Sequence, residues 1–275
     1  MKAVRRLFRY KTFAVGLIMT LSVVFVAVFA NLLAPHPYDA IDIAQRLKPP
    51  SADHLFGTDN MGRDIFSRVL YGSRLALSVA IVSMVIQCVI GVGLGLVAGY
   101  YGGWVEKTIS FFSYLVLSLP ALVVIIALIT LMGPSLTNAI IAVSLVAWAG
   151  TTRLVMVKTM AVKSLPYVEA AKAFGESDGS IILRYILPNI SPIIIILMFM
   201  AMPGALLLAS SVSFMGIGAQ IPEPEWGAMV SGGLNLIVTH PWVSMLPGAV
   251  LAYTIIGFNL LGEGLRDVLD PTLRV

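Results

Sequence analysis

The sequence runs to 275 residues, of which 58% are hydrophobic and only 12% charged, with a mean hydropathy of +0.93. A soluble domain of this length needs far more charge to cover its surface, so composition excludes that class and predicts a membrane protein, which the length of the apolar runs below makes all-α and polytopic. The net charge of +4 is not gathered into one basic stripe, which argues against nucleic acid as a partner and leaves membrane lipid as the surrounding phase.

A basic tail of Lys2, Arg5, Arg6, Arg9 and Lys11 precedes a first apolar run, Thr12–Leu33. Val28-Phe29-Ala30 looks like a signal-peptide cleavage site, but the run exceeds the usual length of a signal-peptide core, so an uncleaved first span is expected. Residues 34–74 are polar, proline-punctuated and rich in Asp, with Asp53, Asp59 and Asp64 interleaved with Arg63, Arg68 and Arg74. They read either as a solvated, mutually paired loop or as a folded cap, and Gly57 and Gly62 predict fixed turns rather than a floppy linker. Further apolar runs follow at Leu75–Gly99, Thr108–Met132 and Leu136–Thr152. Residues 153–186 carry a helical pattern, and Leu187–Ser213 is the fifth run. Residues 214–241 hold Pro222, Pro224 and Pro241, with Trp226 and Trp242 suited to an interfacial belt, before the sixth run, Trp242–Leu261. Each run reaches or approaches the ~20 helical residues that cross ~30 Å of hydrocarbon.

Lys and Arg set the expected orientation. With the N-terminal tail inside, Lys107, Arg153, Lys158, Lys163, Lys172, Arg184, Arg266 and Arg274 also fall inside. Only Arg46, Lys48, Arg63, Arg68 and Arg74 remain outside. Six spans with both termini cytoplasmic satisfy this distribution. The natural division is 1–74 (tail, first span and outer segment) and 75–275 (a core of five spans).

None of the six runs contains Asp, Glu, Lys, Arg or His. Intramembrane ionisable groups mark proton relays and coupling-ion sites, so a proton-driven transporter or a charged-filter channel is disfavoured. Gln87, Asn189 and Asn259 are the polar residues at depth; they are helix-packing glue or candidates to line a pathway. No glycine precedes a lysine, which excludes a G-x-x-x-x-G-K-[ST] phosphate cradle. Neither a serine nucleophile elbow nor an H-E-x-x-H pair is present. Cys88 is the only cysteine, so no intramolecular disulfide forms. His36, His54 and His240 lack metal-ligand spacing and read as loop histidines, so no metal site is expected. The chain is expected not to be an enzyme and to take its energy from partner subunits.

In the inner segment, Ser164 is the candidate N-cap of a short helix, with Pro166 early, where a helix tolerates it. Ala170, Ala173, Phe174 and Ser177 are spaced to share one face, while Glu169, Lys172 and Glu176 stand close enough for weak ion pairs. Gly175 offers close approach or a turn. A small-residue face of this kind suits either a cleft in another protein or the membrane surface.

Glu169-Ala170-Ala171, then Gly175, then a segment ending in Leu187-Pro188 resembles the EAA loop of ATP-binding-cassette importer permeases. One position departs: the family often has Ile two residues before the Leu, where this chain has Tyr185. Phe56 to Arg68 with Tyr71-Gly72-Ser73-Arg74 is similar to a signature of the dipeptide/oligopeptide/nickel permeases. Ser213 to Gly218 with Pro222, Pro224 and Trp226-Gly227, and Phe258 to Gly262 with Asp270-Pro271, fit the same family, in its expected order. The chain most resembles the shorter, "C" permease of a permease heterodimer.

That resemblance implies the fold of a type I importer permease and a coupling helix that docks on a cytoplasmic ATPase. Glu169, Ala170, Ala171, Gly175, Leu187 and Pro188 would carry the coupling. Gly57, Asp59, Gly62, Arg63 and Asp64 would belong to an outer cap or gate. The implied partners are a B-type permease, two ATPase subunits or domains and an extracytoplasmic solute-binding protein. ATP and Mg would sit on the ATPases, with no cofactor on this chain. The implied location is a bacterial or archaeal inner membrane. The implied cargo is di- or oligopeptide; nickel or another metal chelate, or some oligosaccharides, remain open, as does a stand-alone channel or secondary transporter.

Overall fold

The computed structural model describes residues 10–269. Lys2, Arg5, Arg6, Arg9, Arg274 and the Asp270-Pro271 pair lie outside the described residues. Among the described residues the chain is built of helices, with no strand beyond one isolated bridge between Thr58 and Asp64. In chain order these are α1 (Lys11–Leu33), α2 (Ile65–Tyr101), α3 (Gly103–Ser118), α4 (Ala121–Met132), α5 (Leu136–Lys163), α6 (Pro166–Ala173), α7 (Asp178–Phe214), α8 (Trp226–Gly233) and α9 (Trp242–Leu269).

Five of them, α1, α2, α5, α7 and α9, are long and apolar enough to cross a membrane. The third expected run, Thr108–Met132, is not one straight span. It is split into α3 and α4, which meet at 93° across Leu119 and Pro120. Proline lacks the N–H that a continuing helix needs, and it pushes the residue before it to extended backbone, as at Leu119 (ψ 143°). Hydropathy registers the two halves as one run because it carries no geometry.

Several helices run beyond their apolar windows. α2 begins at Ile65 because the Asp64 carboxylate accepts the Ser67 N–H at 2.7 Å and caps the first turn. α5 continues to Lys163 and α7 starts at Asp178. The start of α7 contains a wide π turn over Ile181–Ile186, which ends two residues before Pro188. A widened register of this kind accommodates the missing proline N–H and relieves its ring.

Small residues set how closely the helices approach. Gly91, Gly95 and Gly99 recur every fourth residue along α2 and face α5. A Cβ at Gly95 would lie 2.8 Å from the Thr152 carbonyl oxygen, and one at Gly99 2.6 Å from that of Met156. Gly16 on α1 meets the backbone of Leu260 and Leu261, and Gly264 on α9 meets Phe13, so α1 lies against α9. Where lipid removes the hydrophobic incentive for helix association, such close backbone contact is what holds spans together.

The main core joins α2, α4, α5, α7, α8 and α9 through buried Val79, Ile125, Ile129, Val143, Leu206 and Phe258. Trp226 belongs to this core at 2% exposure, so it is not an interfacial belt residue. Gly72 leaves room for its ring, and the indole N–H donates to the Val69 carbonyl at 3.1 Å, which removes the need for water. A second cluster, Leu96, Tyr100, Val155, Val168, Ile181, Ile186, Ile190 and Ile194, lies where α2, α5, α6 and α7 meet.

Candidate functional site

The α6 region carries the clearest functional geometry. Pro166 occupies the first helical turn, which makes Leu165 the N-cap residue. Ser164 therefore does not cap α6; its hydroxyl donates back to the Ala161 carbonyl at 3.0 Å. The helix closes in a Schellman motif: the Gly175 N–H donates to the Lys172 carbonyl and the Glu176 N–H to the Ala171 carbonyl, both at 3.1 Å. Gly175 takes φ +83°, and a Cβ there would meet nothing within 4 Å, so it serves the turn and not a close contact within the chain. With α6 ended at Ala173, Ser177 leaves the expected shared face and instead caps the next turn through the Ser180 N–H.

Two residues root α6. Val168 and Ala171 are buried, and Val168 inserts into the cluster with Tyr100, Val155 and Ile181. Glu169, Ala170, Lys172 and Ala173 are exposed, and Phe174 stands out at 91% exposure. No ion pair joins Glu169, Lys172 and Glu176 among the described residues; exposed pairs of this kind gain little. Behind α6, Tyr185 and Leu187 pack against the same cluster, so tyrosine takes the apolar role of the family's usual isoleucine. Pro188 is exposed, and Asn189 donates to the Tyr167 hydroxyl, tying α7 to α6. The Lys163 ammonium donates to the Tyr100 carbonyl, and the Tyr100 hydroxyl to Asp178, which closes the ring of α5, α2 and α7 around α6.

Residues 34–64 form a folded cap. The Asp59 carboxylate accepts from the Met61 N–H at 2.8 Å, the Arg63 N–H at 3.0 Å and the Arg63 Nε at 2.7 Å. Arg68 lies 3.8 Å from the same carboxylate and donates to the carbonyls of Tyr38 (2.9 Å) and Pro222 (3.3 Å), joining the cap to the segment before α8. All three side chains are buried. Gly57 and Gly62 have φ of +73° and +75°, and a Cβ on Gly62 would fall 1.7 Å from the Asp42 carbonyl oxygen. Arg74 donates to the Ala27 carbonyl at 2.7 Å and to the Asn31 side chain at 2.9 Å, so it is bound to α1 and not to an acid.

The three pathway candidates are not brought together. Gln87 is buried on α2, Asn189 sits beside α6, and Asn259 is exposed on α9. None of them lines the open groove between α4, α7, α8 and α9, whose walls are Leu122, Leu207, Ser210, Ser211 and Leu251. Glu225, which sequence reasoning misses, borders that region through Ser210. Its buried carboxylate accepts from Ser210 Oγ at 2.6 Å and from the Ala228 N–H at 2.8 Å, capping α8. An acidic residue immediately before a Trp-Gly helix start is the signal that could have located it.

Residues 91–275 match the family described as binding-protein-dependent transport system inner membrane component. Residues 1–50 match the N-terminal TM domain of oligopeptide transport permease C. A dipeptide transport system permease protein, DppC, of Alkalihalophilus pseudofirmus is 40% identical over 99% of this chain and 90% of its own length. A probable D,D-dipeptide transport system permease protein, DdpC, of Escherichia coli is 42% identical over 89% of this chain and 82% of its own. A glutathione transport system permease protein, GsiD, of Pectobacterium atrosepticum is 37% identical over 98% and 90% respectively. With bundled apolar spans, a protruding rooted helix and matches over nearly its whole length, the chain belongs to the family of binding-protein-dependent transport system inner membrane components, as a multi-pass permease subunit.

Proposed function

We propose that this chain forms half of the translocation pathway of an ATP-driven peptide importer and receives the ATPase stroke through α6. The observation that carries this reading is the two-sided character of α6. It presents Glu169, Ala170, Ala173 and Phe174 outward, while Val168 and Ala171 lock it to α2, α5 and α7. A push on the exposed face therefore travels to three spans as a rigid-body movement. Phe174 is an aromatic knob suited to a pocket on the ATPase, with Glu169 beside it for polar contact.

In this reading the termini are cytoplasmic, the cap of residues 34–64 faces outward and residues 75–275 form the permease core. A B-type permease covers the groove lined by Ser210 and Ser211, two ATPases bind ATP and Mg, and a solute-binding protein delivers cargo to the cap. The chain itself catalyses nothing and holds no nucleotide. Small peptides are the cargo class, supported by relatives named for dipeptide, D,D-dipeptide and glutathione transport.

Reconstitution of the permease pair with its ATPases in vesicles tests the assignment. ATP-dependent dipeptide uptake is expected, with none from vesicles that lack the ATPases; uptake by the permease chains alone would overturn it in favour of a channel or secondary transporter. Phe174→Ala is expected to weaken ATPase retention by about thirtyfold, the effect of losing an interface anchor worth about 2 kcal/mol. The thermal stability of the permease pair should not change, and full retention and uptake in that variant would remove α6 as the coupling element.

A further inference from the structure

Three segments distant in sequence converge at the outer-segment end of α1. His36 follows α1, His54 lies in the turn closed by Ser51, and Asp64 caps α2. One ring nitrogen from each histidine and one Asp64 oxygen all lie within 4.8 Å of one another. The His54 Nδ1 to Asp64 Oδ1 distance is 2.9 Å, and the two imidazole rings are 4.8 Å apart between centroids, tilted by 34°.

The hydrogen bonds around this cluster define its chemistry. The Asp53 carbonyl, 3.0 Å from His36 Nε2, can only accept, so Nε2 carries the proton and Nδ1 of the neutral ring keeps its lone pair. A histidine whose second nitrogen is fixed by a backbone carbonyl is in the arrangement that orients metal ligands. The Ser67 N–H holds Asp64 Oδ2, and the Ser67 hydroxyl accepts from the His36 N–H at 3.1 Å. Asp64 Oδ1 therefore points to the histidines. The Asp64 side chain is 1% exposed, and among the described residues its only side-chain ion-pair partner is His54. The cluster therefore turns two imidazoles and one carboxylate oxygen toward a single point, a mixed nitrogen and oxygen donor set that suits a cation.

We propose that His36, His54 and Asp64 form a binding site for a borderline divalent transition ion, with Zn2+ as the best fit. Two nitrogens and one carboxylate oxygen suit that ion, with water in the fourth position. Calcium and magnesium call for oxygen-rich shells and are disfavoured by the two imidazoles. Ligand atoms around zinc stand about 3.3 Å apart, so the His54–Asp64 edge is already near its span. The widest separation must close by about 1.5 Å, a movement that falls to the half-exposed His36 on its loop. On binding, the His54 Nδ1 proton leaves to solvent or moves to Nε2, and the His54–Asp64 hydrogen bond is replaced by two metal bonds. The bound ion would clip the end of the first span to the start of the second.

The test uses the full chain with its partner permease in nanodiscs, purified without a polyhistidine tag and stripped with a chelator. Titration with Zn2+ is followed by calorimetry, and Co2+ by its visible absorption. One ion per chain with a Kd in the micromolar range or below is expected, together with slower hydrogen exchange at the Ser67 amide. His36→Asn and His54→Gln should each raise Kd at least tenfold, while His240→Asn should leave it unchanged. Both variants should keep the apo protein's elution volume and α2 exchange pattern. Zn2+ affinity equal to wild type in the double variant, or saturation only in the millimolar range, would overturn the proposal.

Discussion

The cap of residues 34–64 and the α6 segment are both polar stretches between apolar runs, and they solve opposite problems. In the cap, Asp59, Arg63 and Arg68 are buried and turned inward on one another and on backbone carbonyls. Around α6, the charges of Glu169, Lys172 and Glu176 stay free of one another, and the largest apolar side chain, Phe174, faces outward. The Asp59 carboxylate is saturated within the chain, whereas α6 keeps Glu169, Lys172 and Phe174 on its surface and is rooted by Val168, Ala171 and the Tyr167–Asn189 hydrogen bond. A polar segment that consumes its own hydrogen-bonding capacity is a structural part. One that leaves it exposed keeps it available to a partner, and mutations at equivalent-looking residues should separate the two.

The largest difference is expected at the charge hub. Asp59→Ala leaves the Arg63 and Arg68 guanidinium groups buried without their carboxylate, a loss of about 3–5 kcal/mol. Hydrogen exchange in nanodiscs should show the Met61 and Arg63 amides, both bonded to that carboxylate, exchanging at least a hundredfold faster. Glu169→Ala on α6 should leave exchange within its helix unchanged. Equal effects of the two substitutions would erase the distinction between cap and interface.

Six apolar runs were legible because each is long and free of charge, and the helix on 164–175 was legible from Pro166 and Gly175. The bend at Pro120 was not, because mean hydropathy is blind to direction. Hydropathy also stops short of the ends of α5, α7 and α9, because those helices continue as polar helix where an apolar window ends. Periodicity places Ala170, Ala173 and Phe174 on one side, and they do share an exposed face; it does not show that the helix ends at Ala173, which takes Ser177 off that face, or that Ala171 is buried. Val168 and Ala171 turn inward, leaving Ala170, Ala173 and Phe174 outside. The Gly91, Gly95 and Gly99 ladder has a four-residue period in the sequence, but only the fold shows that it faces α5. His36, His54 and Asp64 were beyond reach, since spacing along the chain says nothing of three loops folded onto one point.

Two turn glycines, one in each segment, separate the segments further at smaller scale. Both Gly62 and Gly175 have positive φ, so alanine strains the backbone at either, by about 1 kcal/mol. At Gly62 the new methyl also meets the Asp42 carbonyl, and overpacking against fixed backbone raises the total to about 3 kcal/mol. Faster exchange across residues 42–64 should report it.

Gly175→Ala should have the smallest effect, because nothing lies within 4 Å of the added methyl in this chain. The strain alone, about 1 kcal/mol, would fray the Schellman closure and raise exchange at the Gly175-position and Glu176 amides about fivefold. A bulkier Gly175→Trp adds little further backbone strain, because the space around the residue is open, yet it places a ring beside the exposed face of α6. ATPase retention should therefore fall far more between Ala and Trp than local exchange rises. If the two readouts moved together, Gly175 would matter only as a turn residue; if retention alone collapses, the open space beside it is where the partner sits.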